Sequence, residues 1–229
     1  MGVPGARHRD RRAGVIGDIS AWAKTRRGLD LISHPRWVAN VALRGRPLTF
    51  GDLEQAVPGA SKPTDFMNWI SGQFDASVTW DDIAWVREHW SGRLVLKGVL
   101  DPDDARRAID VGVDGVIVSN HGGRQLDSVR SSVRALPGVV EAVGDQTEVL
   151  VDGGAYTGLD VVKLVAMGAR AVLLGRAWTW AVAARGETGV NDLLEVIKSE
   201  IDVALALTGT TSVRDLDRSA RDADSISQI

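Results

Sequence analysis

A chain of 229 residues, 44% hydrophobic and 25% charged, has the size and mix of a globular domain with a real core. Its net charge of −3 supplies no basic field for nucleic acid. The absence of cysteine excludes disulfides, thiolate metal sites and cysteine nucleophiles, and no apolar run approaches the ~18–20 residues of a membrane span.

Residues 1–14 are rich in Gly and Arg, centred on Arg7-His8-Arg9-Asp10-Arg11-Arg12. On composition this is a solvated loop, and it lacks the apolar stretch of a signal peptide. Residues 15–66 show short helical patterns broken by Pro47, Pro58, Gly59 and Pro63, with one helix starting at Ser33-His34-Pro35-Arg36-Trp37. Trp37, Val38, Val41 and Leu43 lie beside Arg36, Arg44 and Arg46 there, which reads either as a weak amphipathic surface or as a helix packed on the rest of the fold.

From Trp80 the rhythm becomes regular. Asp81 and Asp82 open a helix at its positive end. Leu94–Val99 reads as a strand, and Asp101-Pro102 opens a helix through Ala105, Ala108 and Ile109. Gly115–Ser119 is a strand, 129–143 a helix despite Pro137, and Glu148–Asp152 a strand. Gly158–Met167 is a helix stopped by Gly168, Ala171–Gly175 a strand, and helices follow at about 178–185 and 190–207. This alternation of strand and helix predicts an α/β fold with a parallel sheet and helical crossovers. Residues 213–229 are charged, poor in large apolar groups, and read as a frayed tail.

Chemistry enters where the strand Gly115–Val118 runs into Ser119-Asn120-His121-Gly122-Gly123-Arg124-Gln125-Leu126-Asp127. His121 offers a base, the two glycines a tight turn, and Arg124 a planar fork for a carboxylate. Together they suggest proton abstraction beside a carboxylate. Lys97 sits among apolar strand residues, which is costly unless it meets an anion. Asp152-Gly153-Gly154 ends one strand and Gly175-Arg176 the next, a pairing suited to phosphate through bared N–H groups, a helix N-terminus and one cation. No Gly-x-Gly-x-x-Gly follows a first strand, which argues against a nicotinamide site.

The nonapeptide resembles the signature of the FMN-dependent α-hydroxy-acid dehydrogenases and oxidases, a family that includes mandelate dehydrogenase, lactate dehydrogenase and glycolate oxidase. The likeness runs from Val3 to about residue 212, and is greatest to the bacterial (S)-mandelate and L-lactate dehydrogenases through His34-Pro35-Arg36-Trp37 and Gln73-Phe74-Asp75. The resemblance implies a TIM (β/α)8 barrel, of which this chain would hold the C-terminal part: about four β/α units, strands 5–8, after the strand that carries the family's catalytic Asp. An incomplete barrel leaves two sheet edges, so the expectation is a truncated or degenerate gene, a misassigned start, or a half that pairs with another half. Residues 1–212 would form the dehydrogenase domain, with 15–66 as the variable active-site loop region that carries the membrane contact in membrane-associated relatives.

The resemblance also implies roles. His121 is the base, taking either the α-proton or the hydroxyl proton of an (S)-2-hydroxy acid such as mandelate or lactate. Arg124 and Arg7 hold the substrate carboxylate. Lys97, Ser119, His121, Asp152, Gly153, Gly154, Gly175 and Arg176 bind FMN, Lys97 by stabilising negative charge on the reduced ring. Two departures stand out: His8 where relatives have Glu, and Tyr156 where relatives commonly carry an Arg that contacts the FMN phosphate. The implied activity is oxidation to the 2-oxo acid with a quinone, another acceptor or O2 receiving the electrons, in a family often homo-oligomeric. The implied location is cytoplasmic or peripheral to the inner face of the membrane. The competing expectations are a catalytically inactive remnant and a half-barrel assembly protein.

Overall fold

The computed structural model describes residues 21–45, 50–60 and 62–216. The chain groups into two compact units, Gly2–Ser77 and one running from Val78 to the C-terminus. Arg7, and the charged tail beyond residue 216, lie outside the described residues.

In the first unit, α1 (Ala21–Ser33) leads to a short helix α2 (Pro35–Trp37) that widens into a π-helical turn over Val38–Leu43. Pro35 stands at the first helical turn, as its missing N–H and fixed φ favour. A 3-10 turn, Gly51–Leu53, precedes α3 (Pro63–Gln73). Phe66 is fully buried and meets the Phe50 ring at 5.6 Å, the one large apolar anchor of this unit among its described residues.

The second unit alternates as the hydrophobic rhythm predicts. It comprises α4 (Trp80–His89), β1 (Val95–Val99), α5 (Pro102–Asp110), β2 (Gly115–Val118), α6 (Ser132–Val143), β3 (Glu148–Asp152), α7 (Gly158–Ala166), β4 (Ala171–Leu173) and α8 (Arg176–Thr208). The four strands pair in parallel in the order β1-β2-β3-β4, so each crossover helix returns the chain to the next position along one sheet. Side chains alternate across each strand. Val116, Val118, Val149 and Val151 are buried with Ala105 and Ala108 of α5 and Leu136, Val139 and Val143 of α6, giving one apolar layer between sheet and helices. A smaller cluster of Val162, Ala166 and Ala204 binds α7 to α8. Past α8 the chain forms a 3-10 turn, Val213–Asp215, and Leu216 is buried in that second cluster, so the segment read as frayed is docked as far as residue 216.

The caps explain where the helices begin. Asp101 accepts the Asp103 N–H at 2.8 Å ahead of Pro102, and Thr157 and Asp160 exchange hydrogen bonds in a capping box at the start of α7. Ser131 caps α6, which starts three residues later than the sequence pattern suggests and carries Pro137 in its body. α8 is broken at Arg185 and Gly186, whose φ of +59° only glycine adopts freely; the two predicted helices thus abut, and the first starts at Arg176.

Asp114 ties the N-terminal ends of the strands together. Its carboxylate accepts the Leu94 N–H at 2.8 Å, Arg87 at 3.0 Å and Arg93 at 3.1 Å, and its carbonyl accepts the Thr147 hydroxyl. The Leu94 N–H, and then the two guanidinium groups, hold the Asp114 carboxyl below the usual carboxylate range against its partial burial. A depressed carboxylate adds stability that is present above its unfolded value near 3.9 and is lost as pH falls through the lower folded value. Asp114→Asn should therefore lower the melting temperature most at neutral pH, with the gap to wild type closing below about pH 4. A gap that stays constant from pH 7 to pH 3 would show that the carboxylate charge contributes nothing.

Candidate active site

The C-terminal ends of the four strands gather the residues singled out in the sequence. Lys97 lies in β1 next to a break in the β1–β2 register at Gly98, whose φ is +104°. Its ammonium donates to the Ser119 hydroxyl at 3.1 Å and contacts the carboxylate of Asp152, the last residue of β3. The anion that a lysine in this strand requires is thus supplied by the chain itself, across two neighbouring strands. Lys97 also lines an open cleft with Trp80, Ile83 and Leu96.

Ser119 is only 2% exposed and is the hub of the site: besides the Lys97 ammonium, its oxygen accepts the backbone N–H of His121 at 3.0 Å. His121 has φ of +55° and is followed by Gly122 and Gly123 at +64° and +66°. Three successive left-handed residues make the strand end curl abruptly, and histidine is among the few non-glycine residues enriched in that region. The curl is pinned from within, because the Asn120 side-chain oxygen accepts the Gly123 N–H at 3.2 Å and the Arg124 N–H donates to the His121 carbonyl. The imidazole and the Arg124 side chain, three positions apart on this turn, are both exposed. The Asp127 carboxylate accepts the Ser128 N–H, a bond within the loop.

Two contributors, Ser132 and Asn120, were given no role from the sequence. Ser132, buried at the head of α6, accepts the Asn120 N–H at 3.1 Å and so anchors the signature loop to a helix. A Cβ on Gly153 would come within 3.2 Å of that same hydroxyl and 3.5 Å of the Asn120 oxygen, a tight fit at a φ of +90° that glycine relieves where the β2 and β3 loops approach. The signal was present in Asn ahead of His-Gly-Gly, an Asx-turn pattern, and in Ser131-Ser132 ahead of a helix.

The remaining residues lie around β3 and β4. Gly154, at φ of +89°, and Gly175 have nothing within 4 Å of where a Cβ would stand. Gly175 precedes the first turn of α8, and Arg176 occupies that turn, its guanidinium over the Tyr156 ring at 5.4 Å. Burial raises the Asp160 carboxyl, but the N–H groups of Tyr156 and Thr157, the Thr157 hydroxyl and Lys163 outweigh it and hold the group below its ordinary value. Asp160 therefore stays ionised and fixes the loop ahead of α7. Among the described residues no group of His, Asp and Glu has the makings of a metal site.

These donors suit a phosphate-bearing, anionic cofactor. The Asp152 Oδ1 atom is buried without a hydrogen-bond partner among the described residues, an acceptor able to take a ligand N–H or O–H. Gly154 and Gly175 leave open backbone beside a helix N-terminus and a guanidinium, and Lys97 of β1 supplies a cation against Asp152.

The sequence profile of the FMN-dependent dehydrogenases matches residues 1–223. The chain belongs to that family. An L-lactate dehydrogenase of Caulobacter sp. (strain K31) is 50% identical over 219 residues, covering 96% of this chain and 57% of its own. An L-lactate dehydrogenase of Xanthomonas axonopodis pv. citri is 46% identical over 229 residues, again 57% of its own length. The crystal structure of the monotopic membrane protein (S)-mandelate dehydrogenase superposes with a TM-score of 0.83 at 39% identity, covering 95% of this chain and 57% of that one. The four-stranded parallel sheet with its helices matches part of the flavin-dehydrogenase TIM barrel, and the chain spans just over half the length of the relatives it matches. Among the described residues no helix is long and apolar enough to cross a membrane.

Proposed function

We propose that this chain forms the cofactor phosphate site and the base-bearing loop of an enzyme that oxidises an (S)-2-hydroxy acid, mandelate- or lactate-like, to the 2-oxo acid. The observation that carries this reading is one hydrogen-bonded network at the strand ends, in which Lys97, Ser119, Asp152 and the backbone of His121 are joined. FMN, when bound, supplies the two-electron acceptor. The Lys97 ammonium would place positive charge beside the flavin, and Ser119 and Asp152 would offer it hydroxyl and carboxylate partners. The N–H groups of Gly153, Gly154 and Gly175, with Arg176, would hold the phosphate.

Oxidation breaks the substrate's Cα–H and O–H bonds and forms a C=O bond. The His121 imidazole accepts one of the two protons, from carbon or from oxygen, on a loop whose curl keeps the ring out in solvent reach. Arg124 offers the substrate carboxylate a bidentate fork, with Arg7 as a second cation in the same role. Electrons then pass to a quinone, another acceptor or O2. The exposed Ile32, Trp37 and Leu43 of the first unit support a peripheral membrane contact through 15–66.

Flavin retention tests the reading. The chain purified with excess FMN should elute with flavin absorbance and oxidise an (S)-2-hydroxy acid under an artificial electron acceptor. A folded but colourless protein would mean that these contacts do not suffice, and would favour the non-catalytic reading. The same preparation should sediment with anionic vesicles if the 15–66 face meets a membrane, and stay in the supernatant if it does not.

A further inference from the structure

The aromatic column at the start of α8 has a role that the flavin-binding reading alone does not assign. Tyr156 meets two side chains of that helix: the Arg176 guanidinium over its ring at 5.4 Å, and Trp180 stacked at 5.9 Å with an interplanar angle of 28°. Arg176 and Trp180 are four residues apart and share a helix face, so the tyrosine ring packs along one turn of α8. The backbone at Tyr156 is held, because its N–H donates to the Asp160 carboxylate at 3.0 Å and Asp160 is locked into the α7 cap.

Arg176 is an awkward residue for the place it occupies. A cation in the first turn of a helix faces the positive end of the macrodipole and is disfavoured there. Among the described residues it makes no ion pair, and the Tyr156 ring is its partner instead. A carboxylate partner would hold the guanidinium but would also neutralise it and occupy its N–H donors. An aromatic face holds the group by its plane and leaves both charge and donors available.

We propose that Tyr156 is a positioning residue, a neutral platform that holds Arg176 charged and open for the phosphate of the flavin nucleotide. This rests on the FMN reading above. The ring face carries the effect and the hydroxyl does not, so Tyr156→Phe should behave as wild type. Tyr156→Leu, which keeps bulk without a π face, should weaken FMN binding roughly two- to five-fold, the size of an exposed cation–π contact. Arg176→Ala should cost about one to two decades. In the Arg176→Ala background, Tyr156→Leu should add nothing.

The experiment is a flavin-fluorescence titration of each variant with FMN and with riboflavin, which lacks the phosphate, and with melting temperatures measured alongside. The expected result is a Tyr156→Leu loss seen for FMN and absent for riboflavin, with Phe restoring it. Failure of the wild-type chain to bind FMN overturns the functional reading and this inference together. Wild-type binding with no FMN loss in Tyr156→Leu overturns the inference alone. An equal loss for both flavins, or a loss in Tyr156→Phe as large as in Tyr156→Leu, also overturns it, because the ring would then be merely structural or the hydroxyl would be the ligand. If Tyr156→Leu fails to fold, Arg176→Lys decides: it keeps the charge but loses the planar stack, so FMN affinity matching wild type would refute the platform.

Discussion

His121→Asn should lower kcat/KM for an (S)-2-hydroxy acid by about 10²–10⁴, the range supplied by a positioned general acid or base. Asparagine is the informative replacement because residue 121 sits at φ of +55°, a conformation that asparagine tolerates and alanine does not. Two bonds of this position belong to its backbone: the N–H to Ser119 and the carbonyl that accepts the Arg124 N–H. Both survive the substitution. What is lost is an imidazole nitrogen able to take a proton. Steady-state rates over a range of substrate concentrations, with flavin content measured on the same samples, separate the possibilities. A variant that keeps its flavin and its rate would remove His121 from the chemistry. A variant that loses its flavin would show instead that the ring helps hold the cofactor.

Much of this site was legible before any coordinates because it sits at strand ends, and strand ends are where hydrophobic pattern stops and polar residues begin. Lys97, Ser119, Asp152 and Gly175 each lie within two residues of such a boundary. Pairings across strands were not legible. Lys97 and Asp152 are 55 positions apart, and their contact follows from the β1-β2-β3 order and register, which a single strand's pattern does not encode. The left-handed backbone at His121 was likewise hidden, since Gly122 and Gly123 announce positive φ for themselves and not for the histidine before them. Leu216 read as part of a polar tail because one apolar residue among charges has no periodicity; only the cluster of Val162, Ala166 and Ala204 gives it a place to pack. The break in α8 was visible as Gly186, yet the helix resumes at once because Gly189 lets that turn approach the Ala181 carbonyl, where a Cβ would stand 2.3 Å away.

Gly158→Ala should destabilise the second unit by about 3 kcal/mol, at the upper end of the usual cost of overpacking. A Cβ there would stand 2.3 Å from the Ile197 carbonyl oxygen, 2.6 Å from the Glu200 Cβ and 2.7 Å from the Ile201 nitrogen. Two of these three atoms are helix backbone, which cannot swing aside as a side chain does. The start of α7 would have to lift off α8, straining the bond from the Gly158 N–H to the Glu200 carboxylate and opening the cluster that Val162, Ala166 and Ala204 close. A 3 kcal/mol loss corresponds to roughly 6–12 °C in melting temperature for a chain of this size. Gly72 in α3 is the control: a Cβ there meets nothing within 4 Å, so Gly72→Ala should be neutral or stabilising by about 0.5–1 kcal/mol through helix propensity alone. Thermal and urea unfolding of the two variants side by side test the contrast. Equal melting temperatures would mean that α7 and α8 separate without cost, and that glycine at 158 is not required by the packing. A large loss at 158 with none at 72 would assign the glycine to helix contact, which propensity scales and turn rules do not report.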